Sequence, residues 1–323
     1  ALNGDESDCL AKYQLSADHY RLGCTARITG DMLINIPESS LSRKPIVRKI
    51  AGAIAVETQP MVRLMYVEVP PPELGSRSDW HRLRYALQEE WQLDDLDITP
   101  AALRHLQPTL RQENGAVTVT IWNESKVIRV EAGYVESLYG LAIDIGSTTL
   151  AAYLVNLLTG EILATETMMN PQVRYGEDII SRISYAGEKN GLQHLHRSII
   201  KALNDLCVTI AQAADIKSSE ITDLVLVGNT VMQHLVLNID PSELGHVPFV
   251  LANDEAIDML SHDLGLNKLH PNAQVHILPC IAGYVGADNV AVLLAEHHQF
   301  KDDILLVADI GTNAEILLGT KSQ

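Results

Sequence analysis

Two short segments, far apart in the chain, carry the same order of residues. Asp144-Ile145-Gly146-Ser147-Thr148-Thr149 ends one apolar run, and Asp309-Ile310-Gly311-Thr312-Asn313 ends another. In each, an apolar strand delivers an aspartate, then one residue, then a glycine, then hydroxyl or amide side chains. A strand end holds a carboxylate rigidly at a sheet rim, where it can reach Mg²⁺ directly or through water. Glycine omits the Cβ that would keep backbone away from a phosphate. The hydroxyls and backbone N–H groups that follow form an anion-binding concavity. One such segment alone is often only a strand ending in a polar turn. Two copies in matching strand–turn–strand contexts point to a shared task. Facing each other, they can grip a triphosphate from both sides, each charge-assisted hydrogen bond being worth about 1.5–3 kcal/mol. On this reading Asp144 and Asp309 hold Mg²⁺ or its waters and are the catalytic carboxylates. Gly146, Ser147, Thr148 and Thr149 bind phosphate from one side, and Gly311, Thr312 and Asn313 from the other.

Composition narrows the alternatives. The 323 residues suggest two globular domains, or three if some are small, and 46% hydrophobic residues suffice for packed cores. Against 41 acidic residues stand 24 Lys and Arg, a net charge of −17 that does not suit general nucleic-acid binding. No apolar run approaches the roughly 20 residues of a membrane span, and no signal peptide is visible. Four cysteines, Cys9, Cys24, Cys207 and Cys280, are too sparse for a disulfide scaffold, so a cytoplasmic location is expected. A first residue that is Ala, and a last at Gln323 just after a strand pattern opens, read as a piece of a longer protein.

Along the chain, residues 1–30 form a first segment and 31–60 a linker. Residues 61–138 read as a small α+β domain of order βααββ. In it, Ser78 or Asp79 caps a helix with Leu83, Leu87 and Trp91 on one face. Thr99-Pro100 opens a second with Leu103, Leu106 and Leu110 as its stripe. From 139 to 323 the pattern changes. Strands at Leu141–Ile145, Leu150–Val155 and Ile162–Thr167 precede helices near Glu177–Ala186 and Leu192–Ala214. Strands at Leu224–Val227 and Val275–Leu278 and a helix at Ala287–Ala295 follow, then a second copy begins near residue 303. Three strands in a meander followed by alternating helices and strands predict a ribonuclease-H-like α/β lobe, complete by about 302, and the start of another.

The paired turns resemble the phosphate loops of the acetate and sugar kinase, Hsc70 and actin superfamily, in which a nucleotide sits between two such lobes. Within it, several segments resemble one family more closely, the reductive activators of corrinoid-dependent methyltransferases. These are Asn170-Pro171-Gln172-Val173-Arg174-Tyr175-Gly176-Glu177-Asp178, Val227-Gly228-Asn229-Thr230-Val231-Met232-Gln233-His234, Gly283-Tyr284-Val285-Gly286-Ala287-Asp288 and Asp309 to Glu315. Val67-Glu68-Val69-Pro70-Pro71-Pro72, with Ser78-Asp79-Trp80, is similar to that family's middle domain. The resemblance implies an ATP- and Mg²⁺-dependent protein that returns cobalt from Co(II) to Co(I). Its partner would be the corrinoid protein of a methyltransferase system, it would draw on a reduced electron donor, and it would be a homodimer. It also implies that residues 1–30 are the tail of a ferredoxin-like domain, with Cys24 in Arg21-Leu22-Gly23-Cys24 as one [2Fe–2S] ligand. Three further ligands would precede Ala1. The resemblance alone suggests Gln172 as a residue that orients a water.

Two other classes stay open on the residues themselves: a small-molecule kinase using the same crevice, and a non-catalytic nucleotide-switched binding protein. The pairs His297-His298 and His194/His196 lack the spacing of a helical metal site and read as surface histidines. Cys207 reads as core, and nothing marks Cys280 as a nucleophile. Asn229 and His234 suit backbone capping as well as ligand contact, and Glu177-Asp178 favours a helix N-terminus.

Overall fold

The computed structural model describes residues 58–296, 304–310 and 314–320, with a few isolated positions before residue 31. The first sheet contains β1 (Val62–Glu68), β2 (Asp97–Ile98), β3 (Ala116–Trp122) and β4 (Lys126–Ala132), in the order β1-β3-β4-β2. Helices α1 (Asp79–Trp91) and α2 (Pro100–Thr109) pack on it. Both begin where their caps dictate: the Ser78 hydroxyl accepts from the His81 N–H, and the Thr99 hydroxyl from the Ala102 N–H. The two-residue β2, parallel to β4, is an addition to the expected βααββ order. It is too short to leave a periodic signal. Two stripe residues also differ. Leu83 and Leu87 are buried but Trp91 is exposed, its Nε1–H donating to the Tyr66 carbonyl at 2.8 Å. On α2 the inward face is Ala102, Leu106 and Thr109, which leaves Leu103 outside.

The second sheet has six strands: β5 (Tyr139–Ile145), β6 (Thr149–Asn156), β7 (Ile162–Met169), β8 (Ile221–Gly228), β9 (Ile257–Leu260) and β10 (Gln274–Ile277). Their order is β7-β6-β5-β8-β10-β9. β5, β6 and β7 form an antiparallel meander, β8 runs parallel to β5, and β10 parallel to β8. Without its edge strand β9, which the sequence reading missed, this is the ribonuclease-H-like arrangement. Helix α3 (Ile179–Ala186) follows a single 3-10 turn at Pro171–Tyr175, and α4 (Gly191–Ala213) lies against the sheet. Leu195, Ile199, Leu203, Leu206 and Ile210 recur every three or four residues along α4 and are buried with Leu141, Ile143, Leu150, Leu224 and Val275. Each such side chain contributes about 2 kcal/mol on burial.

Helices α5 (Thr230–Val236) and α6 (Ala287–Glu296) start near the carboxyl ends of the parallel strands. The strands β11 (Leu305–Ile310) and β12 (Ala314–Gly319) form a separate two-stranded antiparallel sheet, with Asp309 opposite Glu315. Among the described residues, no helix is long and apolar enough to cross a membrane.

Candidate functional site

The turn from β5 to β6 is closed by the Gly146 N–H, which donates to the Thr149 carbonyl at 3.1 Å. A Cβ at Gly146 would lie 2.5 Å from that same carbonyl oxygen, so glycine is obligatory here. Three successive carbonyls of the turn are then held from one set of partners. The Gly146 carbonyl accepts from Asn170 Nδ2 at 2.8 Å, and the Thr148 carbonyl from the Asn170 N–H at 2.8 Å. The Ser147 carbonyl accepts from Arg182 Nη2. In a planar trans peptide the carbonyl and the following N–H point in opposite directions. Fixing those carbonyls therefore turns the N–H groups of Ser147, Thr148 and Thr149 away from Asn170 and Arg182. Thr148 itself is exposed.

Neither clamp was singled out from the sequence by its chemistry. Asn170 is fully buried, and its Oδ1 accepts from the Gln172 N–H at 3.0 Å. Arg182 is fully buried too; Nε donates to the Gly176 carbonyl at 2.9 Å, and Nη1 reaches Gln172 Oε1 at 3.5 Å and the Met232 sulfur at 3.3 Å. A single arginine inside the apolar face of Ile179-Ile180-Ser181-Arg182-Ile183 was the available signal.

Asp144 sits one residue before Ile145 on β5, level with Val227 on β8, and Ile145 is level with Gly228. The N-terminus of α6 closes on the same strand ends. A Cβ at Gly286 would lie 2.6 Å from both the Asn229 Cα and the Gly228 carbonyl oxygen. Asp288, in the first turn of α6, has its carboxyl pushed up by burial and further by the negative charge of Asp144. The Glu315 carboxyl is pushed up by burial and then by Asp288 and Asp309. Negative charge therefore bears on Asp288 from Asp144, and on Glu315 from Asp288 and Asp309. Asp288 and Glu315 lay within quoted motifs but had been given no role. Asn289 is 1% exposed, and its Oδ1 has no hydrogen-bond partner among the described residues.

Gly311, Thr312 and Asn313 lie outside the described residues, as do Cys9, Cys24, the first segment to residue 30 apart from isolated positions, and His297-His298. Among the described residues, no group of three or more His, Cys, Asp or Glu side chains is placed to hold a metal ion. Mg²⁺ does not require one, since it is commonly held by one or two carboxylates, retained waters and the phosphates themselves. The glycine turn, the outward N–H groups and the orphaned Asn289 oxygen suit a hydrated cation with a polyphosphate.

Several side chains near these strand ends serve the fold. Gln172 is fully buried and donates to the Leu195 carbonyl at 3.1 Å, so it cannot orient a water in an open crevice. Asn229 caps α5 through the Met232 N–H, and Asp178 caps α3 through the Ser181 N–H. His234 is buried; its Nδ1 donates to the Thr230 carbonyl at 2.7 Å and its Nε2 accepts from the Ala252 N–H, a neutral tautomer that burial favours. Burial pushes the Cys207 thiol up to about 12 and the Cys280 thiol to about 11. His194 is exposed beside Tyr185, and His196 is half-buried against the Leu235 carbonyl.

A meander followed by parallel strands, with its glycine turn at the carboxyl end of the first strand, defines the sugar-kinase, Hsc70 and actin class of fold. Comparison with known proteins then separates one family from that class. Residues 139–300 match the RACo middle region and residues 51–137 the RACo linker region. The chain belongs to the RACo family. It is 37% identical over 183 residues to the corrinoid activation enzyme RamQ of Eubacterium limosum, covering 56% of this chain and 30% of that protein. It is 25% identical over 190 residues to the [Co(II) methylated amine-specific corrinoid protein] reductase of Methanosarcina barkeri, covering 56% of this chain and 34% of that protein. A solved structure described as a reductive activator for corrinoid, iron-sulfur protein superposes with a TM-score of 0.75 at 32% identity. That match covers 84% of this chain and 44% of the other. The chain thus spans about a third of the length of the curated relatives it matches.

Proposed function

We propose that this chain carries one lobe, and the opening of the second, of an ATP-dependent activator that returns a corrinoid from Co(II) to Co(I). The observation that carries the reading is the clamped 146–149 turn, which follows Asp144 at the end of β5 and whose N–H groups face away from Asn170 and Arg182. Ser147, Thr148 and Thr149 would hold phosphate oxygens, Gly146 would let the backbone approach them, and Gly311, Thr312 and Asn313 would do the same from the second lobe. Asp144 and Asp309 would hold Mg²⁺ through its waters. The names of the relatives support a corrinoid protein as partner. Residues 139–323 would open and close on nucleotide.

The reduction needs one electron from a low-potential donor, and for a one-electron couple every 59 mV of deficit is a factor of ten. Lobes that bind the corrinoid partner differently with and without nucleotide can offset that deficit. The residues of this chain do not fit a four-thiolate cluster by themselves. Two of its four cysteines, Cys207 and Cys280, are buried thiols far above neutral pKa, which leaves Cys9 and Cys24, so the chain could supply at most two ligands of a shared set.

The test is calorimetric titration of the full chain with ATP, with and without Mg²⁺, alongside Asp144→Ala and Asp309→Ala. Mg²⁺-dependent binding that both substitutions weaken by at least about tenfold supports the reading. Unchanged affinity in both variants removes it.

A further inference from the structure

We propose that Arg182 is a positioning residue for the polyphosphate, a full positive charge buried behind the 146–149 turn that tunes the turn's affinity to the charge of the anion in front of it. The inference rests on the nucleotide reading above and deepens it. Arg182 is 0% exposed, and among the described residues its guanidinium meets only neutral groups: the Ser147 and Gly176 carbonyls, the Gln172 amide oxygen and the Met232 sulfur. No carboxylate pairs with it among the described ion pairs. Asp178, the acid that acts on it electrostatically, is exposed and spends Oδ1 on the Ser181 N–H.

A buried charge without a counter-charge is costly, and an apolar side chain of similar volume would serve the fold as well or better. Burial lowers the guanidinium only to about 10, so it stays charged at neutral pH. One peptide unit separates it from the outer side of the turn: the Ser147 carbonyl accepts from Arg182, and the Thr148 N–H of the same plane points the opposite way. The missing counter-charge is then the anion itself. Being shielded from solvent, the interaction escapes most salt screening.

The experiment measures binding of ATP, ADP, AMP, adenosine and inorganic tripolyphosphate to the full chain and to Arg182→Lys, Arg182→Gln and Arg182→Met. Arg182→Gln keeps an amide donor for the Ser147 carbonyl and loses the charge, whereas Arg182→Lys keeps the charge and loses the fork. The expected result is that Gln and Met lower the ATP-to-AMP affinity ratio by about tenfold, the scale of a charge pair at an effective dielectric of about 20. Lys should preserve that ratio within about threefold, and adenosine binding should not change. Equal losses for ATP and adenosine, or a Gln variant as good as wild type, overturn the proposal in favour of a purely structural role. If Gln and Met do not fold, Arg182→Lys decides alone: a collapsed ATP-to-AMP ratio overturns the proposal. Arg182-dependent tripolyphosphate binding without any ATP binding would remove the nucleotide reading and leave the anion role standing. No binding of any phosphate overturns both.

Discussion

Asn170 Nδ2 donates to the Gly146 carbonyl at 2.8 Å, while the Asn170 backbone N–H holds the Thr148 carbonyl at the same distance. One buried residue at the end of β7 thereby orients two of the three peptides in the turn after β5.

Asn170→Ala should loosen this turn, because the Gly146 carbonyl loses its side-chain donor and the Gln172 N–H its acceptor while the backbone bond to Thr148 remains, at a cost of about 1–3 kcal/mol. Thermal unfolding should show a lowered midpoint, and ATP affinity should fall with it. Asn170→Asp is the sharper variant. It retains the oxygen that accepts from the Gln172 N–H but faces the Gly146 carbonyl without a donor, so it should impair ATP binding at least as much as alanine does.

Gly146→Ala places a methyl group 2.5 Å from the Thr149 carbonyl oxygen. Backbone cannot retreat as a side chain can, so the turn must open, at a cost of about 1–3 kcal/mol. The far-UV circular dichroism should stay native because the core beneath is untouched. Titration with ATP should show binding reduced or lost, and wild-type affinity in this variant would contradict the steric reading.

Asp223 supplies a pH dependence. Burial pushes its carboxyl up to about 6; the nearby His276 lowers it, and Asp258 raises it further. Because the folded form holds this proton more tightly than the unfolded chain, the contribution is fully present below the unfolded value of 3.8. It is lost as pH rises towards about 6. Asp223→Asn should therefore raise the melting midpoint at pH 7 by an amount equivalent to at most about 3 kcal/mol, and have little effect near pH 4. Equal effects at both pH values would show that the carboxyl is not perturbed.

The two described cysteines should be chemically quiet. With thiols pushed to about 12 and about 11, Cys207 and Cys280 carry almost no thiolate near neutral pH. Peptide mapping after brief treatment with an alkylating reagent should find both unmodified in the folded protein and both labelled once it is unfolded. Rapid native labelling of Cys280 would place it in an open crevice instead of against Gln233.

Much of the architecture was legible because strands and helices write their burial into the chain at periods of 2 and 3.6. The meander of β5 to β7, the stripe of α4, and the caps Ser78 and Thr99 all depend on residues close in sequence. Where that signal was short or the face ambiguous, the reading slipped: β2 and β9 were missed, and Trp91 and Leu103 face outward.

The sequence by itself determined the strand–glycine–hydroxyl turn, the aspartate that precedes it and the family to which the chain belongs, because each is a matter of neighbouring residues in order. Only the tertiary structure decided which distant side chains hold that turn and which merely resemble site residues. Arg182 and Asn170 reach the turn from 36 and 24 positions beyond Gly146, and Gln172 turns inward to Leu195. Periodicity tells which face of an element is buried, but the partner met by that face depends on the path of the whole chain.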